Sequence, residues 1–565
     1  MNILLSLLTS IILSRLTNNN ILVFICTFIL SSYLFKFIYD KRSIKISAVF
    51  AFFLSLIVNS YINLNVIGSS KIFNVTTLLS IIGFTPLITY ILLFINRRIQ
   101  NVEEKHYKLD KKIFKNTKYS ILRYFILILI TWIPVIISFY PGIFSYDAAG
   151  QLNQMFMGKY TTHHPMIHTL FLDFPIKMAD LICGSGSVGL FIHLLIQATV
   201  FALSLAYLVD YLSKEKASFI LKLGSLLAFM FVPLFPVMAI TATKDVLFSA
   251  FYLLLAINII EFIKYQDKFI KRPINIISLV AFATLSLLFR NNTLYAFCLF
   301  LPFIIFYLKK YISQIIIVFA SIFLIVTGVN RYIDVIYEPE PGSVREALSL
   351  PTQFMGRLYN TEENLTDKEK EKIQSFYWNK RLKDYEEHIS DPIKNTMYKG
   401  YVTSHAPKYV KLFFTLGFKY PVTLIDSFLL TNETYFNPFD KLPDDDVYRV
   451  LWEIRDKDDF FNYDIEFKFK ENKLAGFYYA LLETGEYNKF PLLKVIFNIS
   501  LYIYILWLAL YIFIIRKEYR KILCILPFIT LFITVLLGPV AILRYVLPIA
   551  LAFPLLIHMI LKNEN

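Results

Sequence analysis

Residues 311–329 read YISQIIIVFASIFLIVTGV, a stretch without a single charged side chain. A helix needs about 20 mostly apolar residues to cross the hydrocarbon core of a bilayer, because every backbone amide must be bonded within the helix there. The stretch therefore predicts a transmembrane helix. Fourteen such runs occur in the chain, approximately at 3–16, 20–38, 46–66, 77–95, 120–140, 187–212, 217–236, 245–265, 274–289, 293–308, 311–329, 491–515, 520–537 and 541–560.

The composition agrees with a membrane protein. Of the 565 residues 56% are hydrophobic and only 18% are charged, whereas about a quarter of the residues of a soluble protein of this size are charged. The four cysteines are too few and too scattered for a disulfide framework or a cysteine-ligated metal site. No small-residue cleavage site follows run 3–16, so we expect it to be an uncleaved anchor.

Basic residues predict the orientation of the chain. If the N-terminus is cytoplasmic, the cytoplasmic loops carry 24 Lys and Arg residues and the short external loops carry only three. This excess fits the positive-inside rule, and it predicts that both termini are cytoplasmic. The net charge of +15 is thus explained by topology, and nucleic-acid binding has no support. The abundance of Ile, Phe, Asn, Lys and Tyr is typical of an AT-rich bacterial genome.

Residues 330–490 differ from the rest of the chain. They carry 22 Lys and Arg and 28 Asp and Glu, a net charge of −6, against +21 for the remainder. Their length and their aromatic residues, among them Trp452 and Phe460, are sufficient for a core of their own. We predict an extracytoplasmic domain, mainly helical and either α or α+β, between the eleventh and twelfth spans.

Three parts of the chain follow from this prediction. Residues 1–329 form a transmembrane region with an external loop at 141–186, residues 330–490 form the domain, and residues 491–565 form the C-terminal transmembrane helices. Residues 343–359 show helical spacing of apolar residues, and Pro351 is expected to interrupt or bend that helix.

Polar residues gather at the predicted outer ends of the spans, while the middle of the spans has almost no ionisable residue. Asp147 follows the fifth span. A carboxylate at such a place can act as a general base or hold a metal, although Asp is also a frequent N-cap of a helix. His163, His164 and His168 come next and could ligate a metal, but they lack an HExxH pattern, so donors to a phosphate or a sugar are favoured.

Further candidates lie in other external loops. Lys244 and Asp245 begin the eighth span, either as a self-neutralising surface pair or as a phosphate-binding Lys with an orienting Asp. Arg290 ends the ninth span and Arg544 begins the last one, on the side where basic residues are disfavoured. Interfacial anchoring is the alternative for both arginines. Cations near acids at the headgroup level suit a phosphate-bearing substrate.

This set of motifs resembles the GT-C class of integral-membrane glycosyltransferases, and more closely an uncharacterised group of bacterial multi-span proteins related to it. The resemblance covers roughly residues 120–440. It rests on the segments Pro141–Asp147, His163–Pro165, Lys244–Asp245, Arg290–Asn292 and Arg345–Leu348.

The resemblance implies transfer of a sugar from a polyprenyl-phosphate donor to a cell-envelope glycan or glycolipid outside the bacterial cytoplasmic membrane. Asp147 would be the general base and is grouped with Asp245 as catalytic. The residues that would bind the donor phosphate or the substrate are His163, His164, Lys244, Arg290, Asn291, Arg345 and Arg544. The class often has two acids in the first loop or a metal; no such acid pair is present here, so a divalent cation stays open as a cofactor.

Other functions compete with this one. Fourteen spans are common in transporters and flippases of lipid-linked saccharides, but an inverted repeat and midplane charges are missing from the sequence. A polysaccharide polymerase or ligase would differ in its acceptor. A non-catalytic receptor or scaffold would use residues 330–490 for binding alone.

Overall fold

The computed structural model describes residues 21–37, 39–101, 108–144, 146–437, 465, 472–483 and 485–562, and these residues are mostly α-helical. Two short strands, β1 (Ile143–Phe144) and β2 (Thr241–Ala242), pair in parallel. The helices are α1 (Ile21–Leu34), α2 (Lys41–Ile67), α3 (Val75–Gln100), α4 (Lys108–Ile113), α5 (Ser120–Ser138), α6 (Tyr146–Met157), α7 (Met166–Cys183), α8 (Gly186–Lys214), α9 (Phe219–Phe231), α10 (Leu234–Ala239), α11 (Lys244–Tyr265), α12 (Asp267–Ile270), α13 (Pro273–Phe289), α14 (Asn292–Tyr307), α15 (Ile312–Tyr337), α16 (Ser349–Thr361), α17 (Asp367–Gln374), α18 (Asp391–Asn395), α19 (Lys399–Lys419), α20 (Pro421–Thr431), α21 (Glu433–Phe436), α22 (Lys473–Glu483), α23 (Pro491–Phe497), α24 (Ile499–Ile515), α25 (Tyr519–Val535), α26 (Leu543–Leu551) and α27 (Phe553–Leu561).

The predicted α-helical membrane protein agrees with this architecture. Among the described residues, six helices are long and apolar enough to cross a membrane, and nine if each of three sharply bent helix pairs counts as one span. The fourteen predicted runs are therefore not confirmed as fourteen spans. Run 3–16 lies outside the described residues, and each of the other thirteen overlaps a helix. Several of these helices, such as α9, α13 and α14, are shorter than a full span.

Helix α11 lies at the centre of the bundle. It packs against α8, α13, α25 and α26, and it is the most buried of the six long apolar helices. A helix with apolar residues on all sides can be surrounded in this way, because it has no polar face that must reach water. The first turn of α11 carries Lys244 and Asp245, so these two charges lie at one end of the central helix.

The loop before α6 is held against the loop before α11 by the two strands. Ile143 pairs with Thr241 and Phe144 with Ala242, and the Ile143 amide also donates to the Ile240 carbonyl at 2.9 Å. Gly142 precedes β1 with a φ of 134°, a conformation that residues with a Cβ rarely adopt. This pairing fixes where α6 begins relative to α11.

Replacing Gly142 by alanine is expected to lower the free energy of unfolding by about 1–3 kcal/mol, because the positive φ is strained for alanine. The added Cβ would also overlap Leu194 Cδ1 and lie 3.3 Å from the Ile240 carbonyl oxygen. Gly150 within α6 is the matched control, since its Cβ would meet no atom within 4 Å. Chemical unfolding in detergent should show a loss for Gly142→Ala and a gain of roughly 1 kcal/mol for Gly150→Ala. Equal effects would contradict this account.

Part of the segment 330–490 has a core of its own. Buried residues between Leu348 and Tyr420, including Phe354, Tyr377 and Tyr409, pack together; we call residues 344–420 the inserted subdomain. The subdomain begins later in the chain than the predicted residue 330, because α15 continues to Tyr337. Trp452 and Phe460 lie outside the described residues.

Pro351 does not interrupt the helix predicted at 343–359. A 3₁₀ turn at Val344–Leu348 leads into α16, and Pro351 lies in the first turn of α16. Proline is tolerated there because the first amides of a helix have no intrahelical acceptor.

The residues after the inserted subdomain rejoin the bundle. Leu429, Leu430, Tyr435 and Phe436 belong to the same hydrophobic core as the long apolar helices. The Tyr61 hydroxyl of α2 donates to the Leu429 carbonyl at 2.7 Å. Helices α20 and α21 therefore pack with the bundle, although composition grouped them with a separate domain.

Candidate functional site

Five charged residues meet at one end of the bundle. Lys244 Nζ lies 2.5 Å from Asp147 Oδ2, and Arg290 Nη1 lies 2.5 Å from Asp245 Oδ1. Arg544 joins the two pairs, because its Nη1 lies 3.3 Å from Asp147 Oδ2 and its Nε lies 3.8 Å from Asp245 Oδ2. We call these residues the charged cluster. Three of its members are cations and two are acids, so its net charge is +1.

The cluster is largely shielded from solvent. Asp245 is 0% exposed, Arg290 is 6% exposed and Arg544 is 4% exposed. An unpaired charge at such positions would be costly, which explains why each of them has an opposite charge as a neighbour. The two arginines are thus not interfacial anchors, and Lys244 pairs with Asp147 instead of forming a surface pair with Asp245.

Local structure places Asp147 and Lys244 side by side. Asp147 lies in the first turn of α6 and Lys244 in the first turn of α11, just after the paired strands. Gln197 of α8 secures the loop before α11 by donating to the carbonyls of Ala239 and Thr241 at 3.0 and 2.8 Å. Asp147 is a first-turn residue whose carboxylate contacts two cations.

Arg544 is positioned by the loop that precedes α26. The Thr434 hydroxyl donates to the Ala541 carbonyl at 2.7 Å, and the Tyr435 hydroxyl donates to the Ile542 carbonyl at 3.3 Å. The ring of Tyr545 lies 4.6 Å from the Arg290 guanidinium carbon and 5.4 Å from that of Arg544. A ring near two guanidinium groups favours both by cation–π attraction.

A buried hydrogen-bond network fixes α6 on α7. Gln151 Nε2 donates to Thr169 Oγ1 at 2.8 Å, and Gln151 Oε1 lies 3.0 Å from His168 Nδ1. Because the amide oxygen only accepts, the His168 Nδ1 carries the proton in this arrangement. Gln151 is one helical turn after Asp147, so the network holds the helix that carries Asp147.

The two consecutive histidines connect the cluster to the inserted subdomain. The rings of His163 and His164 are 4.4 Å apart, and His163 Nδ1 lies 3.8 Å from Glu346 Oε1. Backbone bonds support this approach, since the Thr162 amide donates to the Glu340 carbonyl at 2.9 Å. Glu346 also pairs with Lys394 at 2.6 Å.

Besides the two histidines, two predicted site residues are not part of the cluster. Arg345 Nε donates to Ser343 Oγ at 3.2 Å, and its guanidinium points to the carbonyls of Lys394 and Asn395. Asn291 is exposed and its side chain makes no capping bond to α14. The structure thus brings together Asp147, Lys244, Asp245, Arg290 and Arg544, with His163 and His164 beside them.

Three residues near the site were missed by sequence reasoning. Tyr545 directly follows Arg544, Gln151 lies one turn after Asp147, and Glu346 directly follows Arg345. A search for polar residues next to each candidate would have found all three.

Electrostatics keeps Asp147 ionised and His164 neutral. Burial alone would raise the pKa of Asp147, but the charges of Arg544 and Lys244 hold it well below its usual range. Burial, reinforced by the charge of Lys244, lowers the pKa of His164 to about 3. At neutral pH His164 can therefore accept a hydrogen bond on one ring nitrogen and donate from the other.

The lowered pKa of His164 predicts a pH dependence of stability. Between about pH 6 and 4 the unfolded state binds a proton on this residue and the folded state does not, so stability falls as the pH falls. His164→Gln is expected to remove about 1.4 kcal/mol per pH unit from the slope in that range. Unfolding midpoints at pH 7, 6 and 5 measure it. If the unfolding midpoints of wild type and of His164→Gln changed equally with pH, the prediction would be contradicted.

The alternative of a histidine metal site, which the sequence disfavoured, is not formed by the described residues. Helix α7 begins at Met166, so His164 and His168 do not lie on one helix. Within the part of the chain that the structure describes, no three His, Cys, Asp or Glu side chains form a group suited to a metal ion.

The fold and the cluster define an α-helical membrane protein with a buried, net-positive charged cluster at one end of its helix bundle. Residues 157–565 match the model of DUF6020, a family of unknown function, and the chain belongs to that family. The match includes every cluster residue except Asp147. No curated protein and no solved structure gives a match.

Proposed function

We propose that this protein is a glycosyltransferase of the bacterial cytoplasmic membrane that transfers a sugar from a polyprenyl-phosphate donor to a cell-envelope glycan or glycolipid. The observation that carries the proposal is the charged cluster at the end of the bundle. Its net charge of +1 matches the single negative charge of a phosphodiester. The bound pair would be neutral, which suits a buried site.

The surroundings of the cluster also suit a phosphate. Lys244 and Asp245 lie at the N-terminus of α11, and Arg544 lies at the N-terminus of α26. Helix N-termini attract anions through their free amides and their dipole. Arg can add two parallel hydrogen bonds to phosphate oxygens.

An apolar pocket on the same helices would accommodate part of the lipid. It lies between α11, α13, α14 and α15 and is lined by Leu255, Phe262, Leu279, Phe297 and Ile315 among others. Asp245 lies on α11, and Arg290 directly follows α13. Leu255 is ten residues after Asp245, about 15 Å along α11, so an isoprenoid chain in this pocket would have to extend along the helix for its phosphate to reach the cluster.

The proposed reaction requires one base and several cations. The acceptor oxygen attacks the anomeric carbon, its proton passes to Asp147, and the bond between the sugar and the phosphate oxygen breaks. The phosphate leaves with the bonding electrons, so its charge rises from −1 to −2. Lys244, Arg290 and Arg544 stabilise that developing charge, while Asp245 orients the arginines.

Asp147 becomes a better base when the donor binds. In the structure its carboxylate is held by Lys244 and Arg544, and a carboxylate paired with two cations takes up protons poorly. A phosphate that binds these cations competes with Asp147 for their hydrogen bonds. Donor binding would therefore raise the basicity of Asp147. His163 and His164 would contact the acceptor or the sugar.

Asp147→Asn is expected to reduce sugar transfer by about 10²- to 10⁴-fold, because asparagine cannot accept the proton. The measurement is transfer of labelled sugar from a polyprenyl-phosphate donor by purified protein. The matched control is Asp180→Asn, which should retain activity. Asp180 lies on α7, within the same segment 141–186 as Asp147.

The outcomes of this assay test the assignment of the base, the enzyme class and the flippase alternative separately. Unchanged transfer by Asp147→Asn would overturn the assignment of the base. Consumption of no polyprenyl-phosphate donor by wild type would overturn the enzyme class. Movement of the intact lipid-linked sugar across a bilayer, without its cleavage, would identify a flippase.

A further inference from the structure

The second half of α19 is an amphipathic helix with an uncovered face. Phe418 is 84% exposed and Phe414, one turn before it, is 55% exposed. Lys408 and Lys411 are exposed on the same side of the helix. On the opposite side, residues such as Leu416 pack into the core of the inserted subdomain.

Helix α19 is linked directly to the apolar bundle. Helix α20 follows after a bend of 110°, and its residues Leu429 and Leu430 reach the core of the bundle. Helix α19 is thus joined through a sharp bend to a helix whose C-terminal residues pack on the bundle. The α19–α20 pair together is apolar enough to pass for a broken span.

Exposed phenylalanine side chains are unfavourable in water. Together with neighbouring lysines, they are typical of helices that lie at a membrane surface. Such helices bury the apolar side chains at the boundary between headgroups and acyl chains, and they bind anionic lipid through Lys and Arg. Lys419 does not belong to this set of lysines, because its Nζ pairs with Glu369 Oε1 at 2.7 Å. Lys408 and Lys411 appear in no ion pair among the described residues.

We propose that α19 is an interfacial anchor: Phe414 and Phe418 insert into the headgroup layer of the membrane that the bundle spans, and Lys408 and Lys411 bind anionic lipid headgroups there. The anchor would fix the height of the inserted subdomain over the end of the bundle. Helix α19 packs against the turn at Val344–Leu348, which carries Glu346 toward His163. The inference does not depend on the proposed enzymatic activity.

Spin labelling of the full chain in lipid nanodiscs tests the anchor. The four native cysteines are replaced by serine, and a nitroxide is attached through Phe418→Cys or, as the matched control, through Glu363→Cys. Glu363 is exposed on the same subdomain but lies outside α19. The label is itself apolar, so it can occupy the place of the Phe418 ring.

The readout is the relaxation of the label by oxygen, which concentrates in lipid, relative to a water-soluble nickel chelate. In nanodiscs with phosphatidylglycerol, we expect this ratio to be at least about threefold higher at position 418 than at position 363. The substitutions Lys408→Gln and Lys411→Gln should lower the ratio at 418 in these nanodiscs and leave it unchanged in phosphatidylcholine.

Three results would overturn the proposal or a part of it. Equal ratios at 418 and 363 would show that the α19 face is in water. Dipolar broadening between two labels at 418 would show that a second copy of the chain covers the face. Insensitivity to lipid charge, with a high ratio at 418, would overturn the role of the two lysines.

Discussion

Asp245→Ala is expected to lower the free energy of unfolding by about 3–5 kcal/mol, the typical cost of leaving a buried charge without its partner. Asp245 is fully buried, and its carboxylate neighbours both Arg290 and Arg544. Alanine leaves Arg290 without a counter-ion and leaves three cations of the cluster with one acid, Asp147. Chemical unfolding of the purified protein in detergent measures the change.

Asp210 provides the matched control for this substitution. It is also a buried acid, but its cationic partner Lys214 has a side chain that is 58% exposed, so water can solvate the lysine when the acid is removed. Asp210→Ala should therefore cost about 1–2 kcal/mol, chiefly through the hydrogen bond with Ser120. A loss for Asp245→Ala no larger than that for Asp210→Ala would contradict the view that the cluster is held together by buried charge.

The sequence predicts that the cluster residues lie at the same end of the spans, but it does not predict which cation pairs with which acid. The positive-inside rule placed Lys244, Arg290 and Arg544 at the same side of the membrane as Asp147, because the rule applies to every loop. The pairing of Lys244 with Asp147 depends on the alignment of β1 with β2. Two-residue strands carry no periodic pattern from which a register could be derived.

Neighbouring residues in one motif can also diverge in space. Arg345 and Glu346 were both part of the resemblance, and only Arg345 was assigned to the site. In the 3₁₀ turn Arg345 points to Ser343 and to carbonyls near α18, whereas Glu346 points to His163. Turn geometry decides the direction of each side chain, and the sequence does not specify it.

The inserted subdomain shows the limit of composition as a guide. Residues 330–490 are acidic as a whole, and this average hid the apolar helix α20. A run of about 10–14 apolar residues fits a buried helix or a re-entrant segment as well as a soluble core, so its length does not decide its location. Packing of Leu429 and Leu430 on the bundle decides it here.

The cluster combines two demands that usually oppose each other. Cations near the headgroup layer bind phosphate most strongly when water is excluded, but exclusion of water makes unpaired cations unstable. In the proposed enzyme, Asp147 and Asp245 would resolve this conflict in the free protein, because each neutralises cations that the substrate phosphate would otherwise have to neutralise. A bound phosphate would then replace Asp147 as the partner of Lys244 and Arg544 and leave Asp245 in place.

Arg544→Gln is therefore expected to lower kcat/KM for sugar transfer by about 10²- to 10³-fold, which corresponds to roughly 3–4 kcal/mol of lost transition-state stabilisation. The fold should persist, since Asp147 keeps Lys244 and Asp245 keeps Arg290 as partners. Arg544→Lys should restore part of the activity, because Lys supplies a charge without the two parallel donors of a guanidinium. The fall should appear mainly in kcat, where the growing phosphate charge is greatest.

Arg345→Gln is the control that separates the cluster from the rest of the basic residues. Arg345 contacts Ser343 and backbone carbonyls, so its substitution should change kcat/KM by no more than about threefold. Both variants are compared at equal folded fraction, judged by their unfolding midpoints. If Arg345→Gln lost as much activity as Arg544→Gln, phosphate binding would have to extend to the inserted subdomain. If Arg544→Gln kept full activity, the charged cluster would be a structural network and the phosphate site would lie elsewhere.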